Sequence, residues 1–413
     1  MKAPKRIAGS SLLLLAALTS PVLATQDSGA AKQDFDVILD PLISERRLPG
    51  YYVAVFKNGE KEFEQAQGFA DERNQVAPDS ATLYAIESMT EPLTATALMV
   101  LVEMGKLSLD DPLAKYLPEF GAMKVANNGS MSSMQEAQRQ ISLRNLLSHQ
   151  AGLTLARRYA FDLNDVQKLY RKRGLFSKNS QLTDLGEHVS ALAELPLVYQ
   201  PGSRTADSVA YDVLARVVEV VADKPFEEFL NAQVLKPLAM RDTHFEVPES
   251  KRDRLAAMYE PVVWGYNVPG TPKMYRRSIV TSKKQAESGE AREAFIGGST
   301  GLLSTASDYA KFLAFLLGEQ TASAVTLSEE NRRAVLYGTN NLTANTNRQT
   351  TDLGTMAGQG LGYRFKIGSS NTSFWIDPET RIAGLFLTQL NPAQFELVPL
   401  LQEAADRHFS NPL

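Results

Sequence analysis

The sequence contains no cysteine, which excludes disulfides, thiolate nucleophiles and cysteine-rich metal sites. Histidine is scarce: His149, His188, His244 and His408 lie far apart in the chain, so a His-rich zinc centre is not expected. Neither sign of charge dominates, since 43 Lys+Arg stand against 47 Asp+Glu for a formal net charge of −4. That near-neutrality argues against a nucleic-acid-binding protein, whose footprint is a basic surface. Long apolar runs are also lacking. The one near the start, Ile7 to Leu18, is well short of the ~20 apolar residues that a membrane-spanning helix needs. The chemistry left to the chain is that of hydroxyls, carboxylates, amines and the backbone.

What is present is length and order. At 413 residues the chain exceeds the roughly 250–300 residues at which one hydrophobic core stops growing, so a two-part domain or two domains is expected. Lys2, Lys5 and Arg6 precede the Ile7–Leu18 run, and Val22-Leu23-Ala24 follows with small or apolar residues where a signal peptidase reads. Residues 1–24 therefore read as a secretory signal, cut after about Ala24, and the protein as periplasmic or secreted. Cleavage removes three basic residues and leaves 389 residues with a net charge of −7. With no cysteine to acylate, a lipoprotein is excluded, and no membrane span is expected after cleavage.

Residues 25–33 read as a flexible leader and 34–413 as the folded domain, with a first helix over about 34–47 ended by Pro49-Gly50. Tyr51 to Phe56, Asn58-Gly59 and Lys61 to Phe69 predict a β-hairpin. Leu93 to Met104 is apolar nearly all round and predicts a buried helix stopped by Gly105. Residues 142–240 look largely helical, within a helical lobe over about 110–240. Strand-like runs recur at 362–365, 373–376 and 382–387, and 397–409 predicts a closing helix. Strands that bracket a helical middle give an α+β fold with an antiparallel sheet drawn from both chain ends. The polar stretches 270–294 and 338–360 read as long surface loops.

The segment Glu87-Ser88-Met89-Thr90-Glu91-Pro92-Leu93, followed by Leu101 to Pro112, closely resembles the nucleophile helix of the β-lactamase-related serine hydrolases, the family of class C β-lactamases, D-Ala-D-Ala carboxypeptidases and esterases of the same fold. The resemblance continues through Leu146-Leu147-Ser148-His149-Gln150-Ala151-Gly152-Leu153, Gln200-Pro201-Gly202, Tyr211-Asp212, Lys236-Pro237-Leu238, Gly298 to Thr305 and Phe374-Trp375-Ile376-Asp377-Pro378. It covers roughly residues 35–405, and the order and spacing are most similar to the esterase branch. It implies a β-lactamase/transpeptidase-like fold of two lobes, with no cofactor and no metal. It also implies a serine nucleophile aided by a lysine one helical turn later and by a tyrosine from the helical lobe.

Read residue by residue, the nucleophile is present as Ser88, but the lysine position holds Glu91 and the tyrosine position holds Asp207, in Asp207-Ser208-Val209-Ala210. The third motif, before Phe374-Trp375, has become Gly368-Ser369-Ser370-Asn371-Thr372-Ser373. The resemblance places Asn371, Thr372, Ser373 and Ser208 along the former cleft. A carboxylate ~4 Å from the serine opposes its alkoxide by a few kcal/mol at intermediate effective dielectric. With an unperturbed pKa of about 4.3, Glu91 is a weak base for a hydroxyl unless burial or a second carboxylate, such as Asp207, raises it.

Ser88-x-x-Glu91 ahead of an apolar run is also the signature of a capping box, which would make the pair a helix cap. His149 reads as a turn residue, Asp377 as a turn residue before Pro378, Trp375 as core, and Lys283 and Lys284 as a solvated basic patch. A metal on Glu91 and Asp207 alone would have too few ligands. Two functions stay open. One is a catalytically impaired pseudoenzyme that binds a peptidoglycan fragment, ester, lipid or protein partner in the old cleft. The other is an active esterase, amidase or carboxypeptidase using Ser88 with carboxylate bases.

Overall fold

The computed structural model describes residues 28–156, 162–175, 182, 184–261, 275–277, 297–319, 325–337, 365–393 and 396–410. The expected signal peptide, Lys283, Lys284, the 338–360 loop and all of the 270–294 loop except 275–277 lie outside them. Among the described residues no helix is long and apolar enough to cross a membrane.

The first helix, α1 (Ser28–Ser44), begins six residues earlier than the pattern predicts. Residues 28–33 are therefore helical and not a flexible leader. Ala30 and Ala31 favour helix, Ala31 is buried, and Lys32 pairs with Asp36 at 2.6 Å one turn on. Two strands follow, β1 (Gly50–Lys57) and β2 (Glu60–Gly68), joined at Asn58-Gly59 with φ of 52° and 79°. Both residues are left-handed, as the tight hairpin turn requires.

After the short β3 (Tyr84–Ala85) comes α2 (Glu91–Glu103), buried from Glu91 through Leu101. A small hairpin, β4 (Lys124–Ala126) and β5 (Met134–Glu136), opens the middle of the chain. Five helices follow: α3 (Leu143–Leu147), α4 (Asp165–Lys172), α5 (Leu185–Ala193), α6 (Ala210–Ala222) and α7 (Phe226–Leu230). The return is β6 (Tyr259–Pro261), β7 (Tyr275–Arg277), β8 (Leu303–Ser304), α8 (Ala306–Leu317), α9 (Glu329–Tyr337), β9 (Phe365–Ile367), β10 (Ser373–Asp377), β11 (Ile382–Leu387) and α10 (Val398–Phe409).

The main sheet has the order β2-β1-β11-β10-β9 and is antiparallel throughout. β1 pairs with β11 from Tyr52↔Leu387 to Lys57↔Ile382, so the two chain ends build one sheet as expected. Alternation along β1 sorts its two faces. Tyr51, Val53 and Val55 pack with Trp375 and Phe386 under α1 and α10, and Phe35 stacks on Phe63 at 4.6 Å. Tyr52 and Ala54 face the larger core shared with α2, α6 and α8. Gly384 is required beside Trp375, since a Cβ there would lie 1.9 Å from the indole.

Candidate active site

The chain reaches Ser88 from β3, which is held against β8, and Ile86 donates its N–H to the Leu302 carbonyl at 3.0 Å. Residues 87–90 then form a single 3₁₀ turn ahead of α2. Glu87 enters it with a left-handed φ of 51°, an uncommon state for a non-glycine residue and one that concentrates at functional turns. Glu87, Met89 and Thr90 are buried, and Ser88 alone in the turn is partly exposed. The Tyr309 hydroxyl donates to the Met89 carbonyl at 2.9 Å, and the Thr372 hydroxyl donates to the Ile86 carbonyl at 3.3 Å. The turn is therefore fixed from two sides.

The capping box read from Ser88-x-x-Glu91 does not form. The intervening 3₁₀ turn moves the start of α2 to Glu91, whose N–H bonds the Ser88 backbone carbonyl, and neither the turn nor α2 has a side-chain cap. Glu91 is buried at 2% exposure, with Oε2 3.3 Å from Nε2 of His149. His149 Nδ1 lies 3.5 Å from the Ser208 hydroxyl, and its ring leans on Tyr211 at 5.0 Å.

His149 does occupy a turn, with φ of 53° and its carbonyl accepting from Ala206 N–H at 3.0 Å. The same residue is the partner of the substituted glutamate, a pairing the sequence reading missed. The signal was a buried carboxylate in need of a donor, together with a histidine inside one of the matching motifs.

A second carboxylate also bears on this region. Asp212, buried on α6, accepts from the N–H groups of Gly298 and Ser299 at 2.9 and 3.0 Å and from the Ser299 hydroxyl at 2.7 Å. The Thr94 hydroxyl of α2 donates to the Gly298 carbonyl at 2.8 Å. Gly298 is needed there, because a Cβ would fall 2.1 Å from the Tyr211 carbonyl. Burial pushes the Asp212 carboxyl up to about 6; the three donors pull it down and the Glu91 charge adds to the rise. Burial and Glu91 likewise hold the Tyr309 phenol well above its ordinary value. The carboxylate whose ionisation responds to Glu91 is thus Asp212. Asp207 is partly buried, and its charge acts on Tyr199, whose phenol burial pushes up to about 12.

The third-motif segment packs on the nucleophile turn. Gly368 N–H donates to the Thr372 carbonyl at 2.6 Å, and the Ser370 hydroxyl donates to Glu87 Oε1 at 3.2 Å. Asn371, Thr372, Ser373 and Ser208 are all buried. Thr372 is bonded to Ile86 as above, Asn371 Nδ2 donates to the Leu390 carbonyl at 3.4 Å, and Ser208 faces His149. Thr372, Asn371 and Ser208 thus turn polar atoms to protein partners inside the fold. Among the described residues no group of three or more Asp, Glu or His is arranged to hold a metal ion.

The family model described as beta-lactamase matches residues 35–406. Among curated proteins, an uncharacterized protein of Mycobacterium tuberculosis is 34% identical over 272 residues, 64% of this chain and 62% of its own. Esterase EstB of Burkholderia gladioli is 32% identical over 241 residues, 58% of each chain. The chain therefore spans about six-tenths of the length of these relatives. Among solved structures, EstCE1, described as a hydrolase with promiscuous acyltransferase activity, superposes with a TM-score of 0.70 at 22% identity, covering 91% of this chain and 98% of its own. A class C beta-lactamase mutant gives 0.63 at 19%, covering 93% and 99%. At such identities the structures speak for the fold, which is the β-lactamase/transpeptidase-like α+β fold read from the sequence.

Proposed function

The chain belongs to the beta-lactamase family, and on that premise we propose that it is an exported member impaired in acyl transfer, which binds a ligand beside Ser88 instead of turning it over. The observation that carries this reading is the direction of Glu91. A lysine at that position would take the serine proton as a free amine and, as the resulting ammonium, stabilise the developing alkoxide. The carboxylate that replaces it is buried, with Oε2 3.3 Å from His149 Nε2. It supplies charge of the wrong sign beside Ser88, and it is occupied by an imidazole. The altered third motif, bonded to the nucleophile turn through Thr372 and Ser370, and Asp207 at the tyrosine position point the same way. The expected ligand is a peptidoglycan fragment, an ester, a lipid or a protein partner. Export rests on the basic and apolar pattern of residues 1–24.

One observation favours a second reading, an active esterase, amidase or carboxypeptidase: Ser88 is the partly exposed residue of its turn. Covalent labelling separates the two. The mature chain is incubated with a fluorophosphonate and with a labelled penicillin and analysed by intact mass. The impaired reading expects no stoichiometric adduct; an adduct on Ser88 that disappears in Ser88→Ala would overturn it.

A further inference from the structure

We propose that a cavity in the helical lobe, apart from the Ser88 site, binds a small amphiphilic anion: a carboxylate on a short apolar body. The cavity measures about 270 Å³, just below the ~300 Å³ at which ordinary small-molecule pockets begin, which suits a ligand smaller than a drug. Its floor is apolar, made by the buried side chains of Leu235, Met240, Phe245 and Leu302. Its wall includes the π-helical turn Asn231–Leu235, a widened backbone form that recurs at functional sites.

The charges around this floor favour an anion. Lys236 and Arg241 line the cavity and are exposed, and among the described residues neither side chain is held in an ion pair. A ligand that buries a hydrocarbon body on the floor can therefore reach two cations, against the single carboxylate, Glu227, of the cavity lining.

The other two titratable groups of the cavity do not cancel this. His244 accepts from the Lys251 ammonium at 3.2 Å and also hydrogen-bonds the Arg241 backbone, and burial together with that ammonium lowers its pKa, which favours the neutral imidazole. Glu227 also lines the cavity, its pKa raised by burial and by the neighbouring Glu246 and Glu228. The site is independent of whether Ser88 is reactive.

Isothermal titration calorimetry of the mature chain at low salt tests the site with octanoate, using octylammonium and octanol as probes of equal chain length. Saturable binding of octanoate is expected, tighter than that of either control. In the variant Lys236→Glu/Arg241→Glu, which reverses two exposed charges without touching the core, octanoate affinity should fall roughly tenfold or more. Unchanged octanoate affinity in that variant, octylammonium binding as tightly as octanoate, or no saturable binding at millimolar octanoate would each overturn the proposal.

Discussion

Ser88 and Glu91 are three residues apart in sequence but engage different surroundings. The serine is presented by a 3₁₀ turn, and the glutamate turns into the protein toward a histidine 58 residues away. Removing one partner of a buried pair leaves the other poorly solvated, which costs more than the pair itself contributes. His149→Ala should therefore lower unfolding stability in urea by about 1–3 kcal/mol, the cost of leaving a buried polar group without its partner. Adding Glu91→Gln to it should recover part of that loss, since a neutral amide is cheaper to bury than a carboxylate. Equal stability of the single and double variants would mean that the 3.3 Å contact carries no coupling. The substitutions at 91 and 207 were legible in sequence because motif spacing assigns those positions. The partner of Glu91 was not, because nothing local links residue 91 to residue 149. Nor was the 3₁₀ turn, which starts α2 at Glu91 and leaves no capping box.

At the scale of elements, periodicity served well where one face of an element is buried. The Asn-Gly hairpin, the all-round apolar α2 and the closing helix lie where the pattern puts them. It served less well where polar residues form the element. The first turn of α1 is small and polar, and the Lys124–Ala126/Met134–Glu136 hairpin has a fully exposed second strand.

The contact of α6 with the Gly298–Ser299 turn depends on one side chain, Asp212. Its carboxyl titrates near about 6 in the fold against an ordinary 3.8, so between these values the folded chain holds a proton that the unfolded chain has released. The sign follows directly: this group's contribution to stability is greatest below pH 4, declines as pH rises to 6 and is constant beyond, a fall of up to about 3 kcal/mol. Unfolding free energies of wild type and Asp212→Asn, compared at pH 4.5 and 6.5, should show the wild type losing ground to the variant as pH rises. A difference that does not vary with pH would contradict this.

For the whole molecule, the frame and the reacting groups have separate physical origins. The frame rests on distributed burial: β1 against β11, α1 against α10, and α2 packed on α6 and α9, with dozens of apolar side chains contributing. Glu91, Asp207 and the 368–373 segment, where the sequence departs from the family pattern, leave those contacts in place, and for that reason the fold can be complete whatever side chain stands at position 91. On the proposed reading of an impaired site, chemistry should appear when side chains are changed without redesign of the backbone. In Glu91→Lys/Asp207→Tyr the new ammonium would start from the first residue of α2, one turn after Ser88, and the phenol from the residue before Ser208. Hydrolysis of a nitrophenyl acetate ester should rise at least about tenfold over the same variant carrying Ser88→Ala, a gain of roughly 1.4 kcal/mol in transition-state stabilisation and a small part of what acyl-transfer enzymes achieve. If the variant folds with unchanged stability and stays silent, the obstacle lies in the 368–373 segment, whose Thr372 and Ser370 side chains are bonded to the nucleophile turn. The retained frame would then be insufficient for catalysis without a third motif free to bind the substrate beside Ser88.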